Sequence, residues 1–98
     1  MIRVTSRAKR ELQRLLDTNV DWPGARLRLM DRGTGDLGLG IDIEMPGDRV
    51  VEHGGEGLLV IDAKLAARLK SITLDVEEGR DGVEIVISSG KLAATVTA

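Results

Sequence analysis

Ninety-eight residues with 14 basic and 16 acidic side chains carry a net charge of −2, so no global field draws the chain to nucleic acid or to an anionic membrane. There is no cysteine, which excludes disulfides, a thiol nucleophile, a cysteine zinc site and a thiolate-held iron–sulfur cluster within one chain. The single histidine, His53, excludes a multi-histidine metal site, and with Trp22 as the sole aromatic the core has to be aliphatic.

Taken in chain order, residues 2–4 (IRV) predict a short strand, and Thr5 or Ser6 can cap the helix that follows. From Ser6 to Asp17, Ala8, Leu12, Leu15 and Leu16 fall on one helical face and Arg7, Arg10 and Arg14 on another. Arg7 has Glu11, and Arg10 or Arg14 has Asp17, at helix-pairing distance, which predicts a solvated, partly paired face. The segment Asn19 to Gly24 turns the chain. Period two then takes over. Ala25, Leu27 and Leu29 alternate with Arg26, Arg28 and Met30, and Leu39, Ile41, Ile43 and Met45 alternate with Gly40, Asp42 and Glu44. Half-buried antiparallel strands carry that signature, which leaves Asp42 and Glu44 on a wet face.

Met45-Pro46-Gly47-Asp48 predicts a turn, Val50-Val51 and Leu58 to Ile61 further strands, and Asp62 the cap of a shorter helix with Leu65, Ala66 and Leu69 inward. Ile72, Leu74 and Val76 pair with Val83, Ile85 and Ile87 across a turn at 78–82, and the tail after Ser89 adds an edge strand or stays loose. The expected fold is α+β and β-rich, with mainly antiparallel sheets and two helices, in one domain over 1–98. No apolar run approaches the ~18–20 residues of a spanning helix, and the N-terminus lacks a secretory apolar stretch. A cytoplasmic, membrane-free protein is the expectation.

One stretch resists this reading. Residues 32–42, RGTGDLGLGID, hold glycine at four of eleven positions and contain G-x-G-x-x-G. Phosphate binding by that pattern needs a helix after the loop, whereas LGLGIDIE alternates in period two and the loop carries no lysine. Positive φ and close backbone approach are what remain for the glycines to supply.

The order of elements carries a resemblance. Leu27-Arg28-Leu29, Gly35 and Gly38, Asp48 with Val50-Val51-Glu52 and Gly54, Val60-Ile61-Asp62, Leu65 and Leu69, and Ile72-Thr73-Leu74-Asp75-Val76 follow one another as in the HesB/IscA-like family of iron–sulfur cluster biosynthesis, which the chain resembles to about Ser89. The resemblance implies a HesB-like barrel or sandwich, and association into dimers or tetramers. Carriers of that family have a cysteine in a Gly-Cys-Ser-Gly loop and a Cys-Gly-Cys near the C-terminus. Here Gly35-Asp36-Leu37-Gly38 aligns with the loop, Asp36 stands at the first cysteine, and no sulfur ligand can be carried over.

Two side chains are candidate metal ligands: Asp36, as a hard oxygen donor, and His53. A turn aspartate and a loop histidine are the plainer readings of both. No nucleophile–base pair is defensible, so no enzyme is expected, and no cofactor. The expected function is a cysteine-free module that binds a protein partner or itself. Its loop surface would comprise Gly33, Gly35, Asp36, Leu37, Gly38 and Leu39, alongside loosely held strand edges. The alternative is a small ligand or a non-thiolate metal held by the Gly33–Gly40 loop through Asp36.

Overall fold

A computed structural model describes residues 2–33, 36–80, 82–89 and 92–96. In chain order the elements are β1 (Ile2–Val4), α1 (Ser6–Asn19), β2 (Arg26–Asp31), β3 (Leu37–Asp42), β4 (Arg49–His53), β5 (Glu56–Ile61), α2 (Ala63–Leu69), β6 (Ile72–Gly79), β7 (Gly82–Ser89) and β8 (Leu92–Val96). The strands form two four-stranded sheets, ordered β1-β6-β7-β8 and β3-β2-β5-β4, and neither closes into a barrel. Most pairs are antiparallel; β1 with β6 and β2 with β5 are parallel, each joined through a crossover. The tail past Ser89 supplies β8, an edge strand on β7. No helix among the described residues is long and apolar enough to cross a membrane.

Both sheets and α1 share one aliphatic core. Leu12 and Leu16 of α1 meet Leu27, Leu29, Leu39 and Leu59 of one sheet and Leu74, Ile85 and Ile87 of the other. Leu12, Leu29, Leu59 and Leu74 have no exposed surface, and each such side chain contributes about 2 kcal/mol through burial. Thr5 fixes where the helix starts. Its hydroxyl accepts from Ala8 N–H at 3.1 Å and donates to Asp75 Oδ1 at 2.7 Å, while its own N–H donates to Leu74 O at 3.0 Å. The first turn of α1 is thereby capped and tied to β6 at once.

Two departures from strict alternation shape the second sheet. A bulge on β5 sets Val51 opposite Leu59 and Glu52 opposite Gly57, so Leu58 is an extra residue and Leu58 and Leu59 both enter the core. The second departure is the length of β3, which stops at Asp42 although the apolar alternation runs on to Met45. Ile41, Ile43 and Met45 are 44%, 48% and 49% exposed, against the half-buried strand expected through Met45. The ion-pair clamp described below ends the strand there.

Candidate functional site

The glycine-rich connection joins β2 to β3 at one edge of the sheet. Asp31 closes its start: Oδ1 accepts from Gly33 N–H at 2.8 Å and Oδ2 takes Arg68 of α2 at 2.7 Å. The Gly33 N–H, followed by Arg68, holds the Asp31 carboxyl below the usual carboxylate range. Arg32 N–H donates to Asp36 O at 2.8 Å, which brings the two ends of the loop together. Gly33 has φ +102°, a conformation that side chains rarely adopt. The strand glycines have another reason. A Cβ on Gly38 would lie 2.1 Å from Arg32 Nε, and one on Gly40 2.7 Å from Met30 Cε. Long side chains therefore lie flat across these glycines, covering the outer face of the sheet. Close approach and positive φ together account for Gly33, Gly38 and Gly40; Gly35 lies outside the described residues.

Asp36 is exposed at the start of β3, Leu37 is half-buried, and Leu39 is buried in the core at 7% exposure. Leu39 thus belongs to the interior, and the exposed apolar surface begins two residues later at Ile41. There a notch of about 170 Å³ opens between the end of α1 and β3, lined by Leu15, Asn19, Leu27, Leu39, Gly40 and Ile41. Ile43 and Met45, after the end of β3, are exposed as well.

His53 ends β4, half-buried, opposite Glu56 across the turn made by Gly54 (φ +63°) and Gly55 (φ +82°). Asp36 and His53 are not brought together. Asp36 sits beside the end of β2, on the β3 edge, whereas His53 sits beside the start of β5, on the β4 edge. Because β2 and β5 run parallel, these positions are diagonal corners of the sheet. Among the described residues no three histidine, aspartate or glutamate side chains gather into a set that could hold a metal ion.

The arrangement that the sequence does not disclose is centred on Arg28. Its Nε donates to Asp42 Oδ2 at 2.7 Å, Nη1 and Nη2 donate to Asp48 at 3.1 and 2.7 Å, and Nη2 also reaches Ile43 O at 3.0 Å. The Arg28 side chain is 13% exposed and that of Asp48 only 4%. Asp48 further accepts from Met45 N–H at 2.7 Å, closing the predicted turn. The bidentate pair raises the Arg28 pKa, and the same guanidinium, ahead of the Met45 N–H, depresses that of Asp48. Asp42 is therefore half of a clamp and not simply part of a wet face. With Ile43 O drawn to Arg28, the chain leaves β3 and turns towards β4. A signal was present: an arginine between two core leucines, and an aspartate opening the next strand. Their spacing alone names neither as the other's partner.

On α1 the pairs keep helix spacing but change partners: Glu11 takes Arg14 and not Arg7, and Asp17 takes Gln13 and not Arg10 or Arg14. Gln13 donates to Asp17 at 2.9 Å, and Arg7 reaches off the helix to Val76 O at 2.9 Å and Asp75 at 3.5 Å.

No family model and no curated protein sequence matches the chain. Solved structures do. This arrangement of sheets and helices is also the fold of two solved proteins, IscA and SufA. A crystal structure of IscA with its [2Fe-2S] cluster matches with a TM-score of 0.62 and 23% identity, over 92% of this chain and 86% of that one. Escherichia coli SufA, involved in biosynthesis of iron–sulfur clusters, matches with a TM-score of 0.61 and 17% identity, over 93% and 82%. The likeness is one of fold, and it agrees with the resemblance carried by the sequence.

Proposed function

We propose that the chain is a cytoplasmic, non-enzymatic module of the iron–sulfur biogenesis type that works by binding a protein partner or its own copy, and does not carry a cluster through sulfur. One observation carries this reading: a chain without cysteine has the fold of a protein crystallised with a [2Fe-2S] cluster. Where the resemblance sets a thiolate, Asp36 stands exposed, and Gly33, Gly38 and Gly40 serve turn geometry and close packing. Ile41, which lines the notch, and the half-exposed Ile43 and Met45 supply apolar surface of the kind that partners cover.

The test is melting of the purified protein with Fe²⁺, Mn²⁺ or Mg²⁺, each alone and under anaerobic conditions. An ion that binds the folded chain raises its melting temperature by mass action. The expected result is no ion-specific shift, in the wild type or in Asp36→Ala. A stabilisation that disappears in Asp36→Ala would replace this reading with an oxygen-donor metal site in the loop.

A further inference from the structure

At the opposite end of β2 from the glycine loop, a pocket of about 160 Å³ opens between the second half of α1, the turn that follows it and the start of β5. Gln13 and Asp17 of α1, Trp22 of the turn, Arg26 of β2, and Glu56 and Gly57 of β5 all line it. Trp22 is the only aromatic side chain in the sequence, and it stands here 47% exposed instead of in the core.

A glycine makes room for Arg26. A Cβ on Gly57 would lie 2.7 Å from Arg26 Nε, so the arginine side chain lies flat across the start of β5. The chain leaves its guanidinium largely unmatched. Nη1 donates to Ala25 O at 2.9 Å, and Nε, shielded from solvent, has no acceptor among the described residues. A buried donor without an acceptor costs a fold stability, so its retention calls for a reason. Acids line the same pocket, yet neither Asp17 nor Glu56 comes within ion-pairing distance of Arg26. Among the described residues the Asp17 carboxylate accepts from Gln13 at 2.9 Å, and the Glu56 carboxylate has neither a hydrogen bond nor an ion pair.

We infer that this pocket binds a small zwitterion of the free amino acid class, its carboxylate on Arg26 and its ammonium between Asp17, Glu56 and the face of Trp22. A cation and two anions kept apart in one pocket are bridged by a molecule that carries both signs. A simple anion would leave the two acids unmatched and meet their repulsion, and a simple cation would meet that of Arg26. An indole face attracts an ammonium more strongly than other aromatic rings do, which gives the exposed Trp22 a use that burial would remove. The site is separate from the glycine loop and does not rest on the proposed partner-binding role.

Trp22 makes the test direct, because a chain with no tyrosine and no other tryptophan reports this pocket in its intrinsic emission. The full chain is titrated with each common non-aromatic L-amino acid to millimolar concentration. The one that binds best is then compared with the amine and the carboxylic acid that keep its side chain and lack the other group. At least one amino acid is expected to give a saturable change in emission, with each half-molecule bound about tenfold more weakly or worse. Arg26→Gln is expected to weaken the amino acid by about tenfold or more and not the amine; Asp17→Asn combined with Glu56→Gln is expected to weaken the amino acid as much and not the carboxylic acid. Melting checks that the variants fold, and the double variant removes no ion pair, so it decides the matter even where Arg26→Gln fails to fold. Emission indifferent to every amino acid, a half-molecule that binds as tightly as the whole, or a double variant that binds like the wild type would each overturn the inference. The melting experiment with ions judges the cysteine-free reading separately.

Discussion

Arg28 and Arg10 are the same residue type put to opposite uses. Arg28 is enclosed, with Asp42, Asp48 and the Ile43 carbonyl taking its donors, and its charge is spent on holding β2, β3 and the turn before β4 in register. Arg10 lies on an open groove with no ion pair among the described residues. A saturated cation stabilises the chain it belongs to, whereas an unsaturated one beside apolar surface is available to something else. The contrast separates a charge that holds the fold from one that the chain leaves unmatched on its surface.

The largest effect should come from breaking the enclosed partner. Arg28→Met leaves Asp48 buried without its counter-charge, with an expected loss of about 3 kcal/mol in denaturant unfolding. Acid should reach the same clamp by another route. The pKa values of Asp48, Asp42, Asp31, Asp75 and Glu11 are all lower in the folded chain than the ordinary carboxylate value. Such groups contribute stability above the unfolded pKa of about 4 and lose it as pH falls through their folded values. Melting temperature is therefore expected to change little from neutral pH down to about 5 and to drop below about 4, less steeply in Asp48→Asn.

Smaller effects sharpen the contrast from the loop and from the open arginine. Gly33→Ala forces a side chain into φ +102° and is expected to cost about 1–2 kcal/mol. Gly38→Ala meets only the end of the flexible Arg32 side chain and should cost less, a difference that unfolding curves of the two variants would show. Arg10→Ala should leave monomer stability within about 0.5 kcal/mol of wild type, since it removes no ion pair. A large loss in Arg10→Ala, or none in Arg28→Met, would erase the distinction.

Much of the fold was legible because it rests on local rules. Thr5 and Asp62 cap the two helices, Ala8, Leu12 and Leu16 line the inner face of α1, and the β6–β7 hairpin pairs Leu74 with Ile87 and Val76 with Ile85 as their alternation predicts. What escaped depends on partners far along the chain. The parallel pairings of β1 with β6 and β2 with β5 leave no periodic trace, and a one-residue bulge reads in sequence as a plain run of Leu58, Leu59 and Val60. The end of β3 is set by Arg28, 14 residues before Asp42, so continued alternation through Ile43 and Met45 promised burial that the clamp withholds. In the candidate site, Gly33 was legible as a turn glycine. Gly38 and Gly40 required the paths of the Arg32 and Met30 side chains, which spacing does not encode.

The most direct measurement is native mass spectrometry of the purified chain before and after anaerobic incubation with Fe²⁺ and sulfide. The account predicts masses of the polypeptide and its assemblies alone, unchanged by the incubation. Stoichiometric iron, with or without sulfide, retained on the folded chain would contradict it and would make the glycine loop a working metal site without thiolates.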